Sequence, residues 1–359
     1  MSRDVIAHIS TKNLVSNFQL IKSLIPSQTR VLAMLKANAY GHGAVEIAQA
    51  LPDTDAIGMV SFDIAIKLRE SGIHCPIVMM QGFVDLSEIL TCAKYQLTPV
   101  IHSEYQIDLL RQTPVQSPLS YWLKLNTGMN RLGFDAEGFR RAYRVLSSLP
   151  KVLPSPVLMT HLSSAGENEE LSRRQILSFD EVVLGFSHSK SLCNSAGLLH
   201  YPGAHLDWVR PGIMLYGISP VATKTSEQLG LKPVMTMKGR LIAIRRQKEG
   251  DLIGYSGYYK CKQDMDVGVV NVGYGDGFPR AVGPGAVVLI KGQRCEIVGK
   301  VSMDMLTVNL TSLGQSAKVG DPVTLWGEGL PVEQLSSTAN MLPYELVTGV
   351  TSRVKFIYS

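Results

Sequence analysis

The sequence predicts an α/β protein in two parts, an N-terminal (β/α)8 TIM-like barrel followed by a mostly antiparallel β domain. Three observations carry this expectation. Between residues 30 and 216 short β-branched runs alternate with helical periods, and eight such runs are found. The glycine-rich turn that an open doubly wound sheet usually carries after its first strand is missing. Beyond about residue 228 the runs are short, several alternate apolar with polar residues, and Gly-Asp or Lys-Gly turns separate them. The division is placed at 1–228 and 229–359.

In chain order, NLVSNFQLIKSLI predicts a first helix with Ser10 or Thr11 as its N-cap. The expected barrel strands are VLAMLK (31–36), AIGMVS (56–61), PIVMMQ (76–81), LTPVIH (97–102), YWLKLN (121–126), PVLMTHL (156–162), KSLC (190–193) and WVRPGIMLYG (208–217). Between them, DIAIKLRESG spaces its apolar residues helically and ends on Gly72, and DLSEILTCAKYQ puts Leu86, Ile89, Leu90 and Ala93 on one face. In the second part KGRLIAIRRQ, VGVVNVGYG, AVVLIKGQRCEIVG, MLTVNL and DPVTLWGE read as strands, and the segment from Leu330 to Val350 adds a helix or two.

Composition narrows the function. With 359 residues, 45% hydrophobic and 18% charged, the chain can bury a large core. Its net charge of +5 is scattered in short pairs such as Arg140-Arg141, which argues against nucleic acid as a partner. MSRDVIAHIS lacks the apolar core of a signal peptide, and no run approaches the roughly 18 apolar residues of a membrane span, so a cytoplasmic protein is expected. Five cysteines, at 75, 92, 193, 261 and 295, form no CxxC pair; reduced thiols and no metal site follow.

Barrel chemistry collects at the C-terminal ends of the strands. There the sequence places Lys36, Arg131 in NTGMNRLG, Thr160-His161, the turn NSAG with Asn194 and Ser195, and Arg210-Pro211-Gly212. Taken singly each has a plainer role: a lysine leaving the barrel for solvent, a structural histidine, an ordinary turn. Together they are sharper. A lysine between low-dielectric walls has a lowered pKa, which leaves neutral amine to attack a carbonyl. Small, donor-rich loops after the seventh and eighth strands are a recurrent phosphate site of barrels. A lysine facing such loops describes a pocket for a phosphorylated aldehyde, and pyridoxal 5'-phosphate is the obvious candidate.

LKANAYGHG, LNTGMNRLGF, MTHL, NSAG, VRPGIMLYG, GYGDGFPR and VSMDML, in this order, resemble the motifs of bacterial alanine racemases over nearly the whole chain. The resemblance implies a pyridoxal phosphate barrel and a β domain in a head-to-tail homodimer with shared active sites. It implies interconversion of L- and D-alanine, with D-alanine going to peptidoglycan. Lys36 would hold the cofactor as a Schiff base and act as one base; Tyr255 of the second subunit would be the other. The spacing of nineteen residues from Tyr255 to Tyr274 fits the family. His161 and Arg210 would support the tyrosine, and Arg210 would face the pyridine nitrogen. A guanidinium there favours racemisation over decarboxylation, because it opposes protonation of the ring.

The resemblance also implies contacts from Tyr40, Asn194, Ser195, Gly212 and Ile213 to the cofactor, the phosphate contacts falling to Tyr40, Ser195, Gly212 and Ile213. Arg131 would bind near the cofactor phenol oxygen and the substrate carboxylate, and Met303 would contact that carboxylate through its backbone N–H from the other subunit. Lys124 sits where many members carry a carbamylated lysine, and Tyr274 and Asp304 belong to the channel entrance. Four positions depart from the pattern: Asn126 and Gly166 in place of aspartates, Lys300 in place of arginine, and Ser352 where some members put a phosphate-binding tyrosine. A same-fold racemase of serine, lysine or broader specificity is the nearest alternative. A non-catalytic pyridoxal phosphate protein is a further one, disfavoured because such proteins lack the β domain.

Overall fold

The computed structural model describes residues 4–359. A first strand, β1 (Ile6–Ile9), leads into the helix Thr11–Ser23, whose N-cap is Ser10: its hydroxyl accepts from the Asn13 N–H at 3.2 Å. Eight parallel strands then close a barrel in chain order: β2 (Arg30–Met34), β3 (Ala56–Met59), β4 (Ile77–Met79), β5 (Leu97–Ile101), β6 (Trp122–Lys124), β7 (Val157–Met159), β8 (Lys190–Ser191) and β9 (Trp208–Val209). Closure is made by Arg30 and Val31 pairing with Trp208 and Val209. The expected barrel is therefore present.

Each barrel strand is shorter than its apolar run. The run continues past the last ladder bond into the loop that follows, so hydrophobicity outlasts pairing at the mouth of the barrel. Lys36 shows this best. It does not end the strand: β2 stops at Met34, and Lys36 opens a helical segment, Lys36–Gly41. Likewise most of WVRPGIMLYG is not strand; only Trp208–Val209 pair, and Ile213–Tyr216 form a 3-10 turn. The helix Leu86–Tyr95 is also rotated from the expected face. Ile89 and Cys92 are fully buried while Leu86 and Leu90 are exposed, because Cys92 packs as a small apolar residue at i+3 from Ile89.

The second sheet is built from β10 (Met235–Gln247), β13 (Met265–Val270), β14 (Val287–Ile290), β15 (Gln293–Glu296), β16 (Leu306–Asn309) and β17 (Pro322–Trp326), all antiparallel to their partners. A small hairpin, β11 (Leu252–Ile253) and β12 (Tyr259–Lys260), stands apart from it. VGVVNVGYG ends as strand at Val270, and Tyr274–Asp276 form a 3-10 turn. The C-terminal segment supplies two helices, Val332–Ala339 and Pro343–Thr348, before β18 (Lys355–Tyr358).

No strand was expected before residue 31, yet β1 lies between β10 and β18, antiparallel to the former and parallel to the latter. The start of the chain thus completes the sheet of the second part. Asn17, fully buried, reinforces the junction: its amide donates to the carbonyls of Leu215 and Lys232 at 3.0 and 2.8 Å and accepts from the Lys232 N–H at 2.8 Å. Among the described residues no helix is long and apolar enough to cross a membrane.

Candidate active site

A cavity of about 570 Å³ opens at the C-terminal mouth of the barrel. Ten of the residues expected in the site line it: Lys36, Tyr40, Lys124, Arg131, His161, Asn194, Ser195, Arg210, Gly212 and Ile213. Among the described residues its wall holds four cationic side chains, those of Lys36, Lys124, Arg131 and Arg210, and no aspartate or glutamate. A wall so charged is complementary to an anion.

Lys36 is placed by an unusual piece of backbone. Ala37, Asn38, Ala39 and Tyr40 all lie in the left-handed region, with φ between 51 and 54°. For non-glycine residues this costs roughly 1–2 kcal/mol each, so the turn is held by what surrounds it. The Ala39 N–H donates to Leu35 O at 2.8 Å, and Asn38 caps the next helix by accepting from the Ala44 N–H at 2.9 Å. The turn points Lys36 into the cavity, 5.9 Å from the centre of the Tyr40 ring. Loss of hydration lowers the Lys36 pKa, and the charge of Arg131 lowers it further.

Opposite stands the seventh and eighth loop pair. Asn194 caps the helix Ser195–His200 by accepting from the Gly197 N–H at 2.9 Å, and the Gly212 N–H donates to the Ser195 hydroxyl at 2.8 Å. A side chain at Gly212 would put its Cβ 2.4 Å from the Tyr40 hydroxyl, so glycine is demanded by close approach. Ser195 at the start of its helix, Gly212, Ile213 and the Tyr40 hydroxyl therefore share one wall of small and polar residues, which suits a phosphate. Tyr40 is buried, and desolvation pushes its phenol pKa up, so it is present as a donor.

Arg210 forms the floor. It donates to Ser191 Oγ at 2.5 Å and to the carbonyls of Thr160 and Leu192 at 2.7 and 3.0 Å, and its Nη2 lies 3.3 Å from His161 Nδ1. Burial lowers its pKa to about 10, which still leaves the guanidinium charged at neutral pH. His161 is held neutral, its pKa well below 6.5 through burial first and the Arg210 charge second. Lys124, at the end of β6, is brought down to about 8 by burial and then by Arg210, Arg131 and Lys36.

Tyr255, Tyr274, Met303 and Asp304 do not line this cavity. Tyr255 begins the turn of the β11–β12 hairpin and is 65% exposed; Tyr274 and Met303 are exposed as well. The loops of Tyr274 and Met303 are joined by the Gly275 N–H donating to Met303 O at 2.8 Å, and Arg353 pairs with both Asp276 and Asp304. Leu252, Tyr255, Tyr258, Met303 and Met305 leave exposed apolar surface on these neighbouring loops.

The departures also have structural accounts. Asn126 keeps the acceptor role an aspartate would fill, taking the N–H groups of Gly128 and Asn130 at 3.1 and 3.0 Å. At Gly166 a Cβ would come within 2.9 Å of Val221, so the spot is filled. Lys300 lies over the Tyr258 ring at 5.1 Å. Ser352 is not in the wall of the cavity, but a tyrosine is: Tyr344, 5.9 Å from Tyr40 between ring centroids, was missed. It follows Pro343 at the start of a short helix, and nothing in its local sequence ties it to the barrel.

Fold and cavity define the class: a barrel enzyme with an antiparallel β domain and a cation-lined candidate site at the mouth of the parallel barrel. Comparison with known proteins makes it particular. Residues 9–220 match the family described as alanine racemase, N-terminal domain, and residues 234–358 its C-terminal domain. An alanine racemase of Coxiella burnetii is 43% identical over 357 residues, 98% of each chain. The structure of a biosynthetic alanine racemase from Pseudomonas aeruginosa superposes with a TM-score of 0.95 at 38% identity over 99% of each chain. An alanine racemase from Bartonella henselae with covalently bound pyridoxal phosphate gives 0.87 at 26% identity, covering 99% of each chain. The chain belongs to the alanine racemase family.

Proposed function

We propose that this protein interconverts L- and D-alanine using pyridoxal 5'-phosphate, with Lys36 and Tyr255 as the two bases. The observation that carries the reading is Lys36, its pKa lowered, facing a cation-walled cavity without an acid and a cradle of small residues opposite. The cofactor fits on this chemistry: an amine for its aldehyde, and Tyr40, Ser195, Gly212 and Ile213 with Asn194 behind them for its phosphate. Once bound, pyridoxal phosphate supplies an electron sink that acidifies the α-carbon of an amino acid.

The protein's own groups do the rest. Racemisation takes the α-proton from one face and returns a proton to the other, so two bases on opposite faces are the economical arrangement. Lys36 serves one face. Tyr255, exposed and outside its own chain's cavity, serves the other from a second subunit, in a homodimer that covers the apolar surface around it. Arg131 and the Met303 N–H hold the substrate carboxylate, and Tyr274 and Asp304 border the way in. Arg210, fixed by its acceptors, keeps a positive charge at the floor and opposes protonation of a ring nitrogen placed there; neutral His161 stays beside it.

Lys124 is the candidate for carbamylation. With a pKa of about 8, roughly a tenth of it is neutral at pH 7, and a neutral amine adds carbon dioxide to give a carbamate and a proton. The carbamate would bring the cavity a negative charge among its cations. A carbamate resonance after exposure to 13C-bicarbonate is expected in the wild type and not in Lys124→Met; no resonance in either would remove the assignment.

The function is tested by chiral chromatography of L-alanine incubated with protein and cofactor, with L-serine and L-lysine in parallel. D-alanine rising towards an equal mixture, the others slow, is the expected result. A D-product from another amino acid alone would move the specificity, and none at all would end the reading. The biosynthetic role named for the Pseudomonas protein supports D-alanine supply, read here as serving peptidoglycan from the cytoplasm.

A further inference from the structure

His42, six residues past Lys36, lies outside the catalytic cavity and is completely buried. Its Nδ1 faces two carbonyls of the left-handed turn, Tyr40 O at 2.8 Å and Ala39 O at 3.1 Å. Burial pulls its pKa down to about 4 against the opposing effect of those carbonyls, so the ring is neutral and carries one proton. Two carbonyl oxygens fix that proton on Nδ1, which leaves Nε2 as an acceptor. The ring also packs on Tyr216, 4.6 Å between centroids, whose hydroxyl donates to Met34 O at the end of β2.

Nε2 of His42 has no hydrogen-bond partner among the described residues, and neither does Nε1 of Trp326, a side chain only 1% exposed. One is an acceptor, the other a donor. The two residues line the same small cavity, about 20 Å³, between the barrel and β17. A single water needs roughly 10–15 Å³ measured this way and two or more polar partners. The space takes one molecule. Glu333, which also lines it and accepts from the Ser219 N–H at 3.0 Å, offers an acceptor for the second hydrogen.

We propose that His42 is a positioning residue for the Lys36 turn, its Nδ1–H clamping the left-handed carbonyls, and that a buried water bridging its Nε2 to the Trp326 indole N–H anchors it to the β domain. The bridge reinforces the tautomer that the two carbonyls set: the water donates to Nε2, so the ring proton stays at Nδ1. It also makes the direction of Lys36 depend on a side chain from the second sheet. Four residues in an unfavourable backbone region are stable only while overdetermined, and His42 supplies two of the contacts that do so.

The inference rests on Lys36 as the cofactor lysine for one of its readouts, and the others are independent of that. An experimental structure of the holoenzyme is expected to show one ordered water within hydrogen-bond distance of both nitrogens, and 15N spectra to report the Nδ1–H tautomer. A dry cavity or the other tautomer would overturn the bridge whatever Lys36 does. Three variants test the clamp through the cofactor dissociation constant. His42→Asn keeps a donor near the Nδ1 position and should stay close to wild type, whereas His42→Leu should weaken cofactor binding roughly tenfold or more. Trp326→Phe, remote from the cofactor, should weaken it by a smaller factor and broaden the tautomer signal. Equal affinity in His42→Leu and wild type, or equal loss in Asn and Leu variants that retain the wild-type melting temperature, would overturn the positioning role.

Discussion

Lys36→Ala is expected to remove racemisation almost completely, by at least roughly 10⁴-fold in kcat, because one substitution deletes both the proposed covalent anchor and a proposed base. The protein should still fold. Lys36 is open to the cavity rather than packed in the core, and the left-handed turn behind it is held by backbone, Asn38 and His42 contacts that the substitution leaves in place. The measurement is kcat for alanine alongside the melting temperature and the cofactor retained after gel filtration. An unchanged melting temperature with lost cofactor and lost turnover is the expected pattern. Wild-type turnover in the variant would dismiss Lys36 as anchor and base together.

Tyr255→Phe should lower kcat by roughly 10² to 10⁴-fold while leaving cofactor binding as it is, since only the phenolic oxygen is removed. Alanine and its mirror image are equal in free energy, so kcat/KM must fall equally in the two directions. The lesion should instead appear as an unequal α-deuterium isotope effect between them. A sharper test mixes Lys36→Ala with Tyr255→Ala. If each site takes its lysine from one subunit and its tyrosine from the other, a mixed dimer holds one intact site. Random exchange makes half the dimers mixed, so about one quarter of wild-type activity should return. No recovery despite demonstrated exchange would exclude a shared site.

How much of this was legible in the sequence differs between fold and site. The barrel could be read because each of its strands is buried on both sides, which writes a continuous apolar run. The ends of those strands could not, because the apolar run does not stop where pairing stops; Lys36 and the stretch after Val209 are the cases in point. β1 escaped because four residues with alternating burial carry too little pattern, and its pairing with β10 and β18 is a property of distant segments. Of the site, the ends of the barrel strands already pointed to Lys36, Arg131, His161, Asn194, Ser195, Arg210 and Gly212, and the resemblance added Tyr40, Lys124 and Ile213 to the residues that share one cavity. The polar contacts of Arg210 and His161 only the coordinates reveal. Tyr344 was missed for the opposite reason to β1. Its helix is ordinary, and it reaches the cavity only through tertiary packing against Tyr40.

The placement of β1 has a consequence for how the molecule comes apart. Its neighbours in the sheet are β10 and β18, and Thr11, just beyond it, donates its hydroxyl proton to Ser359 O, 348 residues away. A strand from before the barrel is therefore built into the sheet that follows it, between β10 and the edge strand β18. Cutting the chain between the barrel and the β domain would strip that strand from one fragment and leave an unpaired segment on the other. The two lobes that look separable along the chain are one cooperative unit in unfolding, and contacts of such long sequence separation make their assembly slow relative to that of the barrel's own neighbouring strands.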